Sequence, residues 1–149
     1  MTCHYEPRNL TSGRALHSFP CRGALGHGGQ KWPAACDSFL LRFRRQHFYF
    51  VVDEKPKRQT GKPLKRIRNM LENSQVSLVI DDYSDDWTQL AYVLVTGSAQ
   101  LVEDESEYDA ALTLLRGRYP QYRVMPLSFP HNTIVRIEPQ KVLAWGRVE

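Results

Sequence analysis

Two apolar runs separated by very few residues limit what this chain can fold into more than any other feature. Val76, Leu78 and Ile80 alternate with Ser77, Val79 and Asp81, the period of a half-buried strand. Leu90 to Val102 reads as a second, longer strand with Gly97 as a bulge. Between them lie the polar turn from Asp82 to Asp86 and a few more residues. A parallel pair needs a crossover of about a dozen residues or more, so these strands form an antiparallel hairpin.

The elements around the hairpin follow from the same patterns. Phe48-Tyr49-Phe50-Val51-Val52 is aromatic and β-branched, hence a strand, and order begins at His47. A basic loop runs from Lys55 to Lys62, and Pro63 suits the first position of a helix. Leu64, Ile67, Met70 and Leu71 give that short helix an apolar face, and Asn73-Ser74 ends it. Asp104 and Glu107 have the spacing of a capping box, followed by Tyr108, Ala111, Leu112 and Leu115 at helical spacing up to Pro120. Residues 121–132 read as a loop. Ile134 to Ile137 and Val142 to Trp145 read as two closing strands separated by Pro139. About five strands with short connections and two helices predict an α+β domain on an antiparallel barrel.

Composition divides the chain. At 149 residues it has room for one domain. Residues 1–50 hold seven Lys or Arg against two acids, all three cysteines and four of the five histidines; the remainder holds 13 basic residues against 14 acids. Residues 1–46 carry no sustained period, and only Phe39 to Phe43 suggests a short element. Two readings fit that segment: a disordered tail, or a stretch foreign to the domain, such as a GC-rich gene read out of frame. The expected division is therefore an atypical segment over 1–46 and a folded domain over 47–149. Three widely spaced cysteines make neither a disulfide framework nor a zinc site. With no membrane-length apolar run and no secretory leader pattern, a soluble, cytoplasmic protein is expected.

The chemistry concentrates in one place. Lys55, Lys57, Arg58, Lys62, Lys65, Arg66 and Arg68 put seven cations within fourteen residues, across a strand end, a loop and a helix start. Unpaired amides at a helix N-terminus favour an anion, and Lys and Arg add charge-assisted hydrogen bonds to phosphate or carboxylate. Lys65, Arg68 and Asn69, three and four apart, share one helix face. A solvated basic face, a nucleic-acid contact and a phosphorylated small ligand all remain open; no aromatic lies between Lys55 and Arg68 to stack on bases. Asp81, Asp82, Asp85 and Asp86 read as a charged hairpin tip, since the spacing of a calcium loop is missing. No metal site is expected. Trp87, Tyr92 and Trp145 either pack in a core or dimer contact or flank a planar cofactor. No nucleophile, phosphate-loop or dinucleotide motif is present, so no catalytic residue is named.

Val52-Asp53-Glu54-Lys55-Pro56-Lys57-Arg58, Leu64 to Asn73 and Val76 to Tyr83 together resemble the pyridoxamine phosphate oxidase-like split-barrel family. The resemblance continues through Asp85 to Leu90, Arg118 to Tyr122 and Val142 to Gly146, and spans about residues 46–146. It is nearest to the actinobacterial branch of deazaflavin (coenzyme F420)-dependent oxidoreductases. The resemblance implies a homodimeric split β-barrel with cofactors in clefts between subunits; members bind FMN or F420, and some haem or biliverdin. It implies that Lys57, Arg58, Lys65, Arg68 and Asn69, with Lys55 in the same motif, contact the cofactor's phosphate and tail, and Trp87 is carried as a further cofactor contact. Ser74 stands where the family has proline. The family's two first strands, with patterns like Ala-x-Leu-Ala-Thr and Asp-Gly-x-Pro-His, have no counterpart in residues 1–46.

The function this implies is an F420-dependent oxidoreductase that passes hydride to a small unsaturated or quinone-like substrate. The alternatives are an FMN-dependent pyridoxamine phosphate oxidase-like enzyme, a non-catalytic split-barrel remnant that binds no cofactor, and nucleic-acid binding through residues 55–68.

Overall fold

The computed structural model describes residues 4–5, 22–27, 35–44, 46–52, 64–82 and 84–146. Strands β1 (His4–Tyr5), β2 (Arg22–His27), β3 (Ala35–Leu40), β4 (Arg42–Arg44) and β5 (His47–Val52) precede helix α1 (Lys65–Glu72). Then come β6 (Gln75–Asp82), a 3-10 turn (Trp87–Gln89), β7 (Ala91–Leu101), α2 (Glu105–Arg118), α3 (Gln121–Val124) and β8 (Thr133–Gly146). The strands form one antiparallel sheet in the order β3-β2-β6-β7-β8-β5-β4, with β1 added to the far half of β8. This is the α+β, split-barrel arrangement expected from the sequence.

The expected hairpin is present, with Gln75 opposite Ser98 and Asp82 opposite Ala91. Ordered structure does not begin at His47, however. Gly23 to His27 pair with Val76 to Ile80 on one side, and β2 pairs with β3 on the other. A segment without apolar alternation becomes a strand because neighbouring strands supply its hydrogen-bond partners, which local propensity does not report. The two edge strands of the sheet, β3 and β4, are consecutive in the chain and meet at Leu41. The ladder is thus left open, and the covalent chain carries one edge across to the other. Leu41, 4% exposed, turns into the core at that crossing.

Strand β5 is buried on both faces, which explains its unbroken apolar run. Phe48, Phe50 and Val52 face the core enclosed by the sheet, together with Leu78, Val93, Val95 and Ile137. Tyr49 and Val51 face a second core between the sheet and α2, built on Tyr108, Leu112, Leu115 and Ile134. Ile67 and Met70 of α1 enter the first core. Leu71, expected on that apolar face, is exposed. The buried stripe of α1 runs through Ile67, Met70 and Asn69, and at about 100° per residue it turns away from Leu71.

Two further expectations are corrected. The pair of closing strands is the single strand β8, because the irregularity is absorbed locally: Gly97 faces Pro139 and Thr96 faces Lys141, so Gln140 is the extra residue of a bulge. Proline, which lacks an N–H, is tolerated there. The loop after Pro120 contains the one-turn helix α3. Arginines pin this region to α2: Arg116 donates to the carbonyls of Tyr122 (3.0 Å) and Leu127 (3.2 Å), and Arg123 to those of Arg116 (2.8 Å) and Gly117 (3.2 Å).

Gly117, in the last turn of α2, has no atom near where a Cβ would lie. Gly117→Ala is therefore expected to stabilise the protein by about 0.5 kcal/mol, read as a raised midpoint in urea. No helix of the described residues is long and apolar enough to cross a membrane.

Candidate functional site

The basic cluster is only partly within view. Lys55, Lys57 and Arg58 lie outside the described residues. Lys65 opens α1 and is exposed, Arg68 is half-buried one turn later, and Asn69 is fully buried. The three lie on adjacent parts of one helix surface, with Asn69 at its margin with the core. The start of α1 is electrostatically unusual. Its N-cap is Leu64, with no side-chain cap, and the first turn holds no acid. Lys65 and Arg66 sit there instead, at the positive end of the helix dipole, where cations work against the helix. An anion at that end would meet the helix's first amides and the positive charge gathered beside them. The side chains present therefore fit a phosphate group.

Trp87 is placed elsewhere. It lies in the 3-10 turn between β6 and β7 and is 79% exposed. Asp86 caps that turn, accepting from the Thr88 amide (3.0 Å), the Thr88 hydroxyl (2.7 Å) and the Gln89 side-chain amide (3.0 Å). These bonds, the Thr88 hydroxyl first, hold its carboxyl below the ordinary range. Strand β6 is 8 residues long, so Trp87 lies about 25 Å along it from the end where α1 joins. Tyr92 and Trp145, opposite each other in register, stack at 5.7 Å and 20° at the same end as Trp87. The cations of α1 thus share one helix, while Trp87, Tyr92 and Trp145 gather at the Asp82 end of the hairpin, away from the end where α1 joins β6. Among the described residues no three His, Cys, Asp or Glu side chains gather as metal ligands do.

A second polar cluster went unseen in the sequence. Arg42, Tyr49, Arg136 and Gln100 stand opposite one another across β4, β5, β8 and β7. Glu107 of α2 lies over this row. The Tyr49 hydroxyl donates to Glu107 Oε1 at 2.8 Å, and Arg136 donates to both carboxylate oxygens at 3.0 and 3.1 Å and to the Gln100 side chain. Of the expected capping box only one half forms: Asp104 accepts from the Glu107 amide at 2.7 Å. The Glu107 side chain turns to the sheet instead. The Glu107 spacing was visible; its partners were not, being 58 and 29 residues away.

Burial, and then the bond to Glu107, push the Tyr49 hydroxyl up to about 12. An unfolded tyrosine ionises near about 10. Above that pH the unfolded chain gives up a proton that the folded chain keeps, so stability falls as pH rises from about 10 to 12. Tyr49→Phe is expected to flatten this alkaline slope, read from urea midpoints at about pH 9 and 11.

Residues 39–146 match the family model described as pyridoxamine 5'-phosphate oxidase. No curated protein matches the sequence. Among solved structures, an FAD-binding protein from Mesorhizobium loti aligns over 97% of this chain and 95% of its own, with a TM-score of 0.67 and 17% identity. A heme-binding protein from Mycobacterium smegmatis aligns over 95% of this chain and 55% of its own, with a TM-score of 0.72 and 15% identity. HutZ, the heme storage protein of Vibrio cholerae, aligns over 97% and 98%, with a TM-score of 0.64 and 13% identity. At such identities the shared property is the fold.

Proposed function

The chain belongs to the pyridoxamine 5'-phosphate oxidase family, and from that premise we propose that it is an oxidoreductase that holds a phosphate-bearing flavin-type cofactor, F420 in the first instance and FMN in the second. The observation that carries this reading is the start of α1: a first turn with no side-chain cap and no acid, where Lys65 and Arg66 sit at the positive end of the helix and Arg68 follows one turn later. Lys65 and Arg68 would hold the phosphate, with Lys55, Lys57 and Arg58 of the preceding segment along the tail. Seven cations exceed what one phosphate needs, which favours the acidic tail of F420 over FMN. Asn69, buried beneath them, would act by fixing the helix surface.

When bound, such a cofactor supplies the hydride donor or acceptor. The chain supplies orientation and a dry wall, and no acid or base of its own is assigned. A small unsaturated or quinone-like molecule is the proposed substrate, and two copies of the chain the proposed assembly. The remnant reading was favoured by strands missing from the start of the chain; β2, β3 and β4 are paired in the sheet there, which supports a cofactor-binding barrel instead.

The test is titration of the purified, folded protein with F420 and with FMN, followed by cofactor fluorescence. Saturable binding of one is expected. Lys65→Ala and Arg68→Ala should each weaken it about tenfold, the loss of one charge-assisted hydrogen bond. If neither cofactor binds saturably, the reading fails; haemin in a parallel titration would show whether the barrel takes haem instead.

A further inference from the structure

The outer face of β4 and β5 carries a groove that the cofactor reading does not use. It has a volume of about 750 Å³, closed on one side by the strands and on the other by the first turns of α2. Its lining includes Arg44, His47, Tyr49, Ser106, Glu107 and Ala110. Its strand lining lies toward the His47 end of β5, whereas the basic loop leaves from the Val52 end.

The charges around this groove divide into satisfied and unsatisfied groups. Glu107 is neutralised by Arg136 at 3.0 Å and accepts a hydrogen bond from the Tyr49 hydroxyl. Asp104 is turned into its own helix, toward the Glu107 amide and the Ser106 hydroxyl. Glu105 is exposed on the same first turn. On β4, Arg42 and Arg44 are two residues apart, so both point to the α2 side, about 7 Å from each other. The Arg42 Nε is buried and meets no acceptor among the described residues. His47 stands opposite Arg44 in register, its ring edge-on to Tyr49 with centroids 6.2 Å apart. The strand wall thus offers cationic donors, and the Tyr49 ring and Ala110 offer apolar surface beside them. A volume of this size suits a small organic molecule.

We propose that this groove is a second ligand site, which takes a small molecule with one anionic group, a carboxylate or a phosphate monoester, seated on Arg44 and His47, with its uncharged body against Tyr49 and Ala110. Benzoate and inorganic phosphate are the probes, followed through the His47 and Tyr49 ring signals by NMR. Saturable shifts with either probe are expected; benzoate alone marks a carboxylate with an apolar body, phosphate alone a phosphate monoester. Arg44→Gln should weaken binding about tenfold or more. Ala110→Trp should block it by filling the groove without removing a charge, with the circular dichroism unchanged. F420 or FMN binding should survive both variants. If neither probe shifts His47, or if both variants bind as the parent does, the proposal is overturned.

Discussion

Phe48→Ala is expected to lower the unfolding free energy by about 3–5 kcal/mol. Phe48 is fully buried in the enclosed core. It stands opposite Ile137 on one side and opposite Phe43 on the other, the two rings 4.8 Å apart at 50°. Its loss removes a large apolar surface and leaves a hole between three strands. One of these, β4, is only 3 residues long and continues directly from β3, the opposite edge of the sheet. Loosening it loosens the crossing at Leu41, where the chain passes from one edge strand to the other. Urea denaturation gives the number. A loss under about 1 kcal/mol would mean that the strand crossing at Leu41 contributes little to the core.

Gly97→Ala is expected to cost about 3 kcal/mol. At this position a Cβ would collide with the Glu138 carbonyl oxygen, a backbone atom held by the β7–β8 ladder. Neither strand can yield without disturbing the bulge at Gln140. The same substitution at Gly117 meets nothing and is expected to stabilise. Opposite signs for one chemical change, measured side by side in urea, separate backbone crowding from helix propensity. A neutral Gly97→Ala would mean that β8 has freedom to shift its register there.

The difference between these two glycines shows what kind of information a sequence holds. Gly97 is recognisable as an irregularity because it interrupts an apolar alternation. That Pro139 and Gln140 lie across from it follows only from the pairing of β7 with β8. For the same reason two short strands were expected where one strand of 14 residues runs through the bulge. The basic cluster was legible because its members lie within one short stretch of the chain. The Tyr49–Glu107–Arg136 cluster was not, because three separate elements contribute to it.

The linear order of residues determined the elements whose causes are local: the β6–β7 hairpin from its short connection, the strand through Phe48 to Val52 from its composition, and α2 from its cap and its spacing. It also determined where positive charge collects. The folded chain alone decided which strand lies beside which, that residues 22–27 and 35–44 enter the sheet, that Asn69 rather than Leu71 is buried, and that Glu107 serves the sheet rather than its own helix. Periodicity and capping act within a few residues, whereas pairing, burial and ion pairs depend on groups brought together from distant parts of the chain.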